Sequence, residues 1–237
     1  MELNRYATQE ETQKAATAAL NELLRTRSGL PTLFLGVGGS SLALLDGVDL
    51  ALVGPHLMFG LADDRFSPDP KVNNFSSAKA GAWYPKWVEA GVGIIDSTVS
   101  GGESLQAFAT RIESAIKKWR EDHPDGMIIM TQGVGPDGHT QGIMPFPENP
   151  ARFNELFLNT ERWYTDYDAT GKNPHPLRGT VTASFLRTEV AESIVYMTGE
   201  AKRDALERIL SSEGTLAETP ARIIREMPAV TIYTDIR

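Results

Sequence analysis

Apolar residues fall along this chain in two rhythms. Ala16, Ala19, Leu20, Leu23 and Leu24 recur at three- and four-residue spacing behind Thr8 and Glu11, a capping box that starts a helix ending near Gly29. Short unbroken runs bounded by turn residues read instead as buried strands: Thr32 to Val37, Leu57 to Ala62, Val92 to Asp96, Met127 to Met130, Ser193 to Met197 and Val230 to Tyr233, with a β-branched run from Arg178 to Thr182. Glu103 to Glu121 carries Leu105, Phe108, Ile112, Ala115, Ile116 and Trp119 on one face, the pattern of a long covering helix. Shorter helices are expected over Ala78 to Ala90, Ala151 to Leu158, Phe185 to Glu192 and Ala221 to Glu226, and from Thr198 onward, with Leu206, Ile209 and Leu210 facing inward. Asn159 to Pro176 shows no readable period, and its Trp163, Tyr164, Tyr167 and His175 receive no role.

Strands thus alternate with helices from end to end. That order predicts an α/β fold with a doubly wound, mainly parallel sheet of about six strands, right-handed crossovers and helices on both faces. No repeat, low-complexity tract or linker interrupts it, so residues 1–237 are expected to form a single domain.

Charge and composition narrow the partners. Against 31 Asp and Glu stand 23 Lys and Arg, a formal net charge of -8, which disfavours a nucleic-acid binder because such proteins need a clustered basic face. The chain has no cysteine, which excludes disulfides, a thiolate nucleophile and Cys-ligated zinc, and fits a reducing cytoplasm. No apolar run approaches the roughly 20 residues that span a bilayer. A cytoplasmic protein without a membrane segment is expected, and its oligomeric state is not legible.

Candidate chemistry gathers where strands give way to turns. Met127 to Met130 empties into Gly133, Gly135, Asp137, Gly138 and His139; histidine titrates near neutrality, and a carboxylate two residues away can fix its tautomer. Alone, the triplet equally describes a solvated glycine-rich turn. Gly38, Gly39, Ser40 and Ser41 follow the first buried strand and lead into a helical stretch, leaving backbone N–H groups and hydroxyls where a phosphate fits. This is neither a P-loop nor a dinucleotide fingerprint, and a plain strand-to-helix turn explains it too. Asp63, Asp64 and Arg65 close another strand as a base with a phosphate clamp, or as a charged surface turn. Lys202 lies in the first turn of a helix, against the dipole preference, so either an anion or Glu200 compensates it.

Taken in order, these pieces resemble the 6-phosphogluconolactonases, within the wider family that also holds the glucosamine-6-phosphate deaminases. The landmarks are Gly38-Gly39-Ser40, Asp63-Asp64-Arg65-Phe66, Gly133 to Thr140, Arg178 with Thr180 and Thr182, and Thr198-Gly199-Glu200-Ala201-Lys202. The resemblance spans nearly the whole chain. It implies a Rossmann-like enzyme that opens a phosphorylated sugar lactone without a cofactor or metal. His139 would be the general base and Asp137 its positioning group; Gly38, Gly39, Ser40, Ser41, Asp63, Arg65, Arg178 and Lys202 would hold the phosphate or neighbouring hydroxyls. The deaminases carry a glutamate five residues after the histidine, where this chain has Met144, so deamination ranks second, with Asp63 as its proton carrier. A non-catalytic sugar-phosphate sensor is a third possibility. The chain departs from the family pattern where Thr-Ala-Ser-Leu-Phe-Pro becomes Thr140, Gln141, Gly142, Ile143, Met144 and Pro145, and where Ser41 and Leu42 replace Thr-Pro.

Overall fold

A computed structural model describes residues 1–237. Its strands are β1 (Glu2–Arg5), β2 (Thr32–Gly36), β3 (Leu57–Leu61), β4 (Asp63–Arg65), β5 (Gly93–Ile94), β6 (Met127–Gln132), β7 (Tyr164–Asp168), β8 (Leu177–Val181), β9 (Val190–Met197) and β10 (Val230–Thr234). Its α-helices are α1 (Gln9–Thr26), α2 (Asn74–Lys79), α3 (Tyr84–Glu89), α4 (Leu105–Asp122), α5 (Pro150–Phe153), α6 (Ala183–Thr188) and α7 (Arg203–Leu210). The capping box forms as expected: Thr8 Oγ1 accepts from Glu11 N at 3.1 Å, and Glu11 reaches back to Ala7 N at 3.0 Å.

Seven strands pair in the order β1-β10-β9-β6-β2-β3-β5, every pair parallel. From β2 the chain steps outward to β3 and β5, then returns to β6 and steps the other way to β9 and β10. The reversal leaves β2 and β6 side by side with loops that diverge at their C-terminal ends, the place where a doubly wound sheet opens a crevice. Because side chains alternate along a strand, the sheet has two cores. Leu33, Leu35, Ile128, Met130, Val195 and Met197 pack with α4, α6 and α7 on one face. Phe34, Ile129, Ile194 and Tyr196 pack with α1, α2 and α3 on the other.

Several elements differ from the sequence expectation. The main sheet has seven strands rather than about six, because Glu2–Arg5 adds an edge strand. Asp63–Arg65, expected to be a loop, is a strand of a second, antiparallel sheet of order β4-β8-β7. That sheet also takes Tyr164–Asp168 from the unread stretch, paired to β8. The region Ala78 to Ala90 is two short helices divided at the turn around Gly81 and Ala82, with Pro85 in the first turn of α3. Helix α6 stops at Thr188, and Val190 to Glu192 belongs to β9. Gly39–Gly47 and Pro220–Arg225 are 3-10 rather than α-helical. No helix is long and apolar enough to cross a membrane.

Candidate active site

At the switch point between β2 and β6 lies a polar cavity of about 300 Å³. It brings together nine of the ten residues to which the family resemblance gives roles: Gly38, Gly39, Ser40, Ser41, Asp63, Arg65, His139, Arg178 and Lys202. The tenth, Asp137, stands behind the imidazole. Its Oδ1 meets His139 Nδ1 at 2.5 Å and also accepts from His139 N at 3.1 Å. With Nδ1 committed to a carboxylate, Nε2 is the ring nitrogen left to exchange a proton with a ligand or water. Burial acts to raise the Asp137 carboxyl, and the hydrogen bonds and charge of His139 outweigh it, holding it below the usual range.

The loop carrying this pair is tightly closed. Gly135 N donates to His139 O at 2.9 Å and Gly138 N to Gly135 O at 3.0 Å. Gly138 adopts φ +89°, a conformation open to glycine at little cost, and its carbonyl accepts from Ala221 N at 2.9 Å. Arg208 Nη2 reaches Pro136 O at 3.2 Å. The residues after His139 are fastened to the small sheet: Gly142 N donates to Thr180 Oγ1 at 3.1 Å, and the Tyr167 hydroxyl donates to Gly142 O. Tyr167 is therefore part of the support of the site, although the sequence assigned it nothing.

The strand period sorts the Asp63-Asp64-Arg65 cluster. Asp63 and Arg65, two apart, face the cavity. Asp64 points away and contributes no side chain to it: its carboxylate accepts from Asn74 N at 2.6 Å, Phe75 N at 3.0 Å and Ser97 Oγ at 2.6 Å. Asp64 also accepts from Arg65 N at 2.7 Å, so it holds the Arg65 backbone and the start of α2 and, lying outside the cavity lining, is not placed as a base there. Burial pushes its carboxyl up to about 7 against the pull of those donors. Asp63 pairs with Arg178 at 3.3 Å, both side chains nearly inaccessible. Burial raises the Asp63 carboxyl, opposed by Arg178, His139 and Arg65.

Lys202 lines the cavity half-buried, and desolvation lowers its pKa with only Asp235 pulling the other way. Glu200, the carboxylate nearby in sequence, is engaged by Arg203 instead. A cation held in this way gains from an incoming anion. Ser41 Oγ, Gln141 Oε1, Arg65 Nε and Arg178 Nε are buried without hydrogen-bond partners around the same space. Gly38 admits the Asn74 side chain so closely that a Cβ there would lie 2.6 Å from it. Asn74, Gln141 and Asn173 are lining residues that the sequence reading did not select. The signal for Gln141 was its place in the loop after His139; Asn173 lay in the stretch without a period. Met144 is fully buried in the core, so its position supplies no proton carrier to the cavity. No group of three His, Asp or Glu side chains is arranged to hold a metal ion.

Fold and cavity define an α/β protein whose switch-point crevice sets an imidazole–carboxylate pair among cations, suited to a small anion. The chain belongs to the family described as glucosamine-6-phosphate isomerases/6-phosphogluconolactonase, whose model matches residues 4–233. No curated protein matches it by sequence. Among solved structures it is similar to the 6-phosphogluconolactonase from Trypanosoma brucei, with a TM-score of 0.76 and 20% identity over 98% of this chain and 95% of that one. The 6-phosphogluconolactonase from Shewanella baltica gives a TM-score of 0.77 at 16% identity, covering 99% and 97% of the two chains. For that from Leishmania guyanensis the values are 0.72 and 18%, with 98% and 96% covered. At such identities the likeness is one of fold.

Proposed function

We infer that residues 1–237 act as one domain that hydrolyses 6-phosphogluconolactone, or a closely related phosphorylated sugar lactone, to the sugar acid. The observation that carries this reading is the His139–Asp137 pair opening on a cavity that also holds Lys202, Arg65 and Arg178. The fold shared with three lactonases supports it. His139 Nε2 takes a proton from water as the water oxygen attacks the lactone carbonyl carbon. The tetrahedral intermediate then collapses, the bond to the ring oxygen breaks, and the imidazolium returns its proton to that oxygen. Asp137 holds the ring in the required tautomer and stabilises its charged form. Gly38, Gly39, Ser40 and Ser41, with Lys202 and Arg65, take the phosphate, and Arg178, held by Asp63, completes the positive wall.

The test is acid release from freshly made 6-phosphogluconolactone, read against the spontaneous rate for wild type and His139→Ala. Acceleration by wild type, falling by at least about a hundredfold in the variant, is expected. No acceleration by wild type, or an unchanged rate in the variant, rejects the reading. A second reading, isomerisation or deamination of an amino-sugar phosphate, draws on the buried carboxyl of Asp63 at the cavity wall. It predicts ketose or ammonia formation that is lost in Asp63→Asn.

A further inference from the structure

Gln141 stands two residues after His139, on the cavity wall and only 6% exposed, with φ at +49°. It is the single residue other than glycine with a positive φ in the chain, a conformation that costs any residue bearing a Cβ. Its side-chain amide is oriented by neighbours. Gln132 Nε2 lies 2.6 Å from Ser193 Oγ and 3.3 Å from Met227 Sδ. A thioether sulfur only accepts, so the NH2 end of Gln132 faces Met227 and its oxygen faces Gln141. The 2.9 Å contact between the two amides is then a donation from Gln141 Nε2 to Gln132 Oε1. This leaves Gln141 Oε1 as a buried acceptor with no donor.

A strained backbone and a buried, unpaired acceptor coincide in one residue of the wall, and the charge of that acceptor limits what can satisfy it. A carbonyl oxygen repels phosphate and carboxylate oxygens and needs an O–H or N–H. The cations Lys202, Arg65 and Arg178 line the same cavity and are the groups that attract a phosphate. We propose that Gln141 is a specificity-determining residue whose Oε1 accepts a hydrogen bond from one hydroxyl of the sugar portion of the ligand, while the cations take its phosphate. The proposal rests on the sugar-phosphate reading of this site. A site built around such an acceptor rejects an analogue lacking the matching hydroxyl, because the acceptor then stays unpaired beside a bound ligand.

Calorimetric binding of 6-phosphogluconate and its monodeoxy analogues to wild type, Gln141→Ala and Gln141→Asn tests this without requiring turnover. Wild type is expected to lose roughly 10- to 100-fold in affinity for one deoxy analogue. Both variants are expected to bind that analogue and the parent about equally. Asparagine tolerates the left-handed backbone and is too short to keep both contacts, so it carries the comparison if the alanine variant does not fold. Equal losses in wild type and variants for every analogue overturn the role of Gln141 and leave the sugar-phosphate reading standing. No binding of 6-phosphogluconate by wild type overturns both.

Discussion

Gly135 lies against the His139–Asp137 pair so closely that nothing larger than hydrogen fits. A Cβ there would sit 2.1 Å from His139 Cε1, 2.2 Å from Nδ1 and 2.7 Å from Asp137 Oδ1. Gly135→Ala must therefore displace the imidazole or its carboxylate, and displacement of about an ångström costs on the order of a hundredfold in rate. A fall of that size in kcat for lactone hydrolysis, with the melting temperature nearly unchanged, is the expected outcome; an unchanged kcat would count against His139 as the base. At this scale much of the site was legible. Asp137 and His139 announce themselves by residue type and spacing, and Lys202 by its misfit with a helix start. The glycine rule was legible only as a turn, because the reason for it is a side chain four residues on. Gln141 was legible only as a departure, since its importance comes from Gln132, which packs against it out of a strand.

Elements carry the Asp64 prediction. In the folded chain its carboxyl is pushed up to about 7, whereas in the unfolded chain it has the ordinary value of 3.8. Between those values the folded protein keeps a proton that the unfolded chain has released, so this contribution to stability is full below about 4 and is lost as pH rises through about 7. The slope inside the window is at most about 1.4 kcal/mol per pH unit. Urea unfolding of wild type and Asp64→Asn from pH 4 to pH 8 should show a decline in wild type that the variant lacks. A parallel pH dependence in both proteins would place the titration elsewhere. The strands of the main sheet were legible because they are buried on both faces and read as apolar runs. β4 and β7 were not: Asp-Asp-Arg and Tyr-Thr-Asp-Tyr-Asp read as loops because they are mostly polar, although Asp63, Asp64, Tyr164, Thr165 and Tyr167 are buried. β1 escaped for a related reason, as an edge strand with no buried residue.

For the whole molecule, the cavity forms where two sheets meet. The parallel sheet delivers Gly38 to Ser41, His139 and Lys202; the antiparallel one delivers Asp63, Arg65 and Arg178. Gly179, at the centre of β8, sets how closely the small sheet packs under α4, since a Cβ would lie 2.6 Å from Tyr164 Cε1 and 2.7 Å from Phe108 Cε1. Gly179→Val is expected to lower stability by about 1–3 kcal/mol in urea unfolding and to weaken 6-phosphogluconate binding together with it. Loss of stability with full binding would show that the two sheets hold their relation without this contact.

The parallel pairing of β1 with β10 also orders events in time. Glu2 to Arg5 are made before their partners, Thr231 to Thr234, which follow more than two hundred residues later. Until then the opening strand has nothing to pair with, and the Ala221 amide that steadies the loop before His139 is also missing. Contacts of such sequence separation close slowly. The nascent chain thus carries the His139–Asp137 pair unsupported for a time, and the support arrives with the seam that joins β1 to β10.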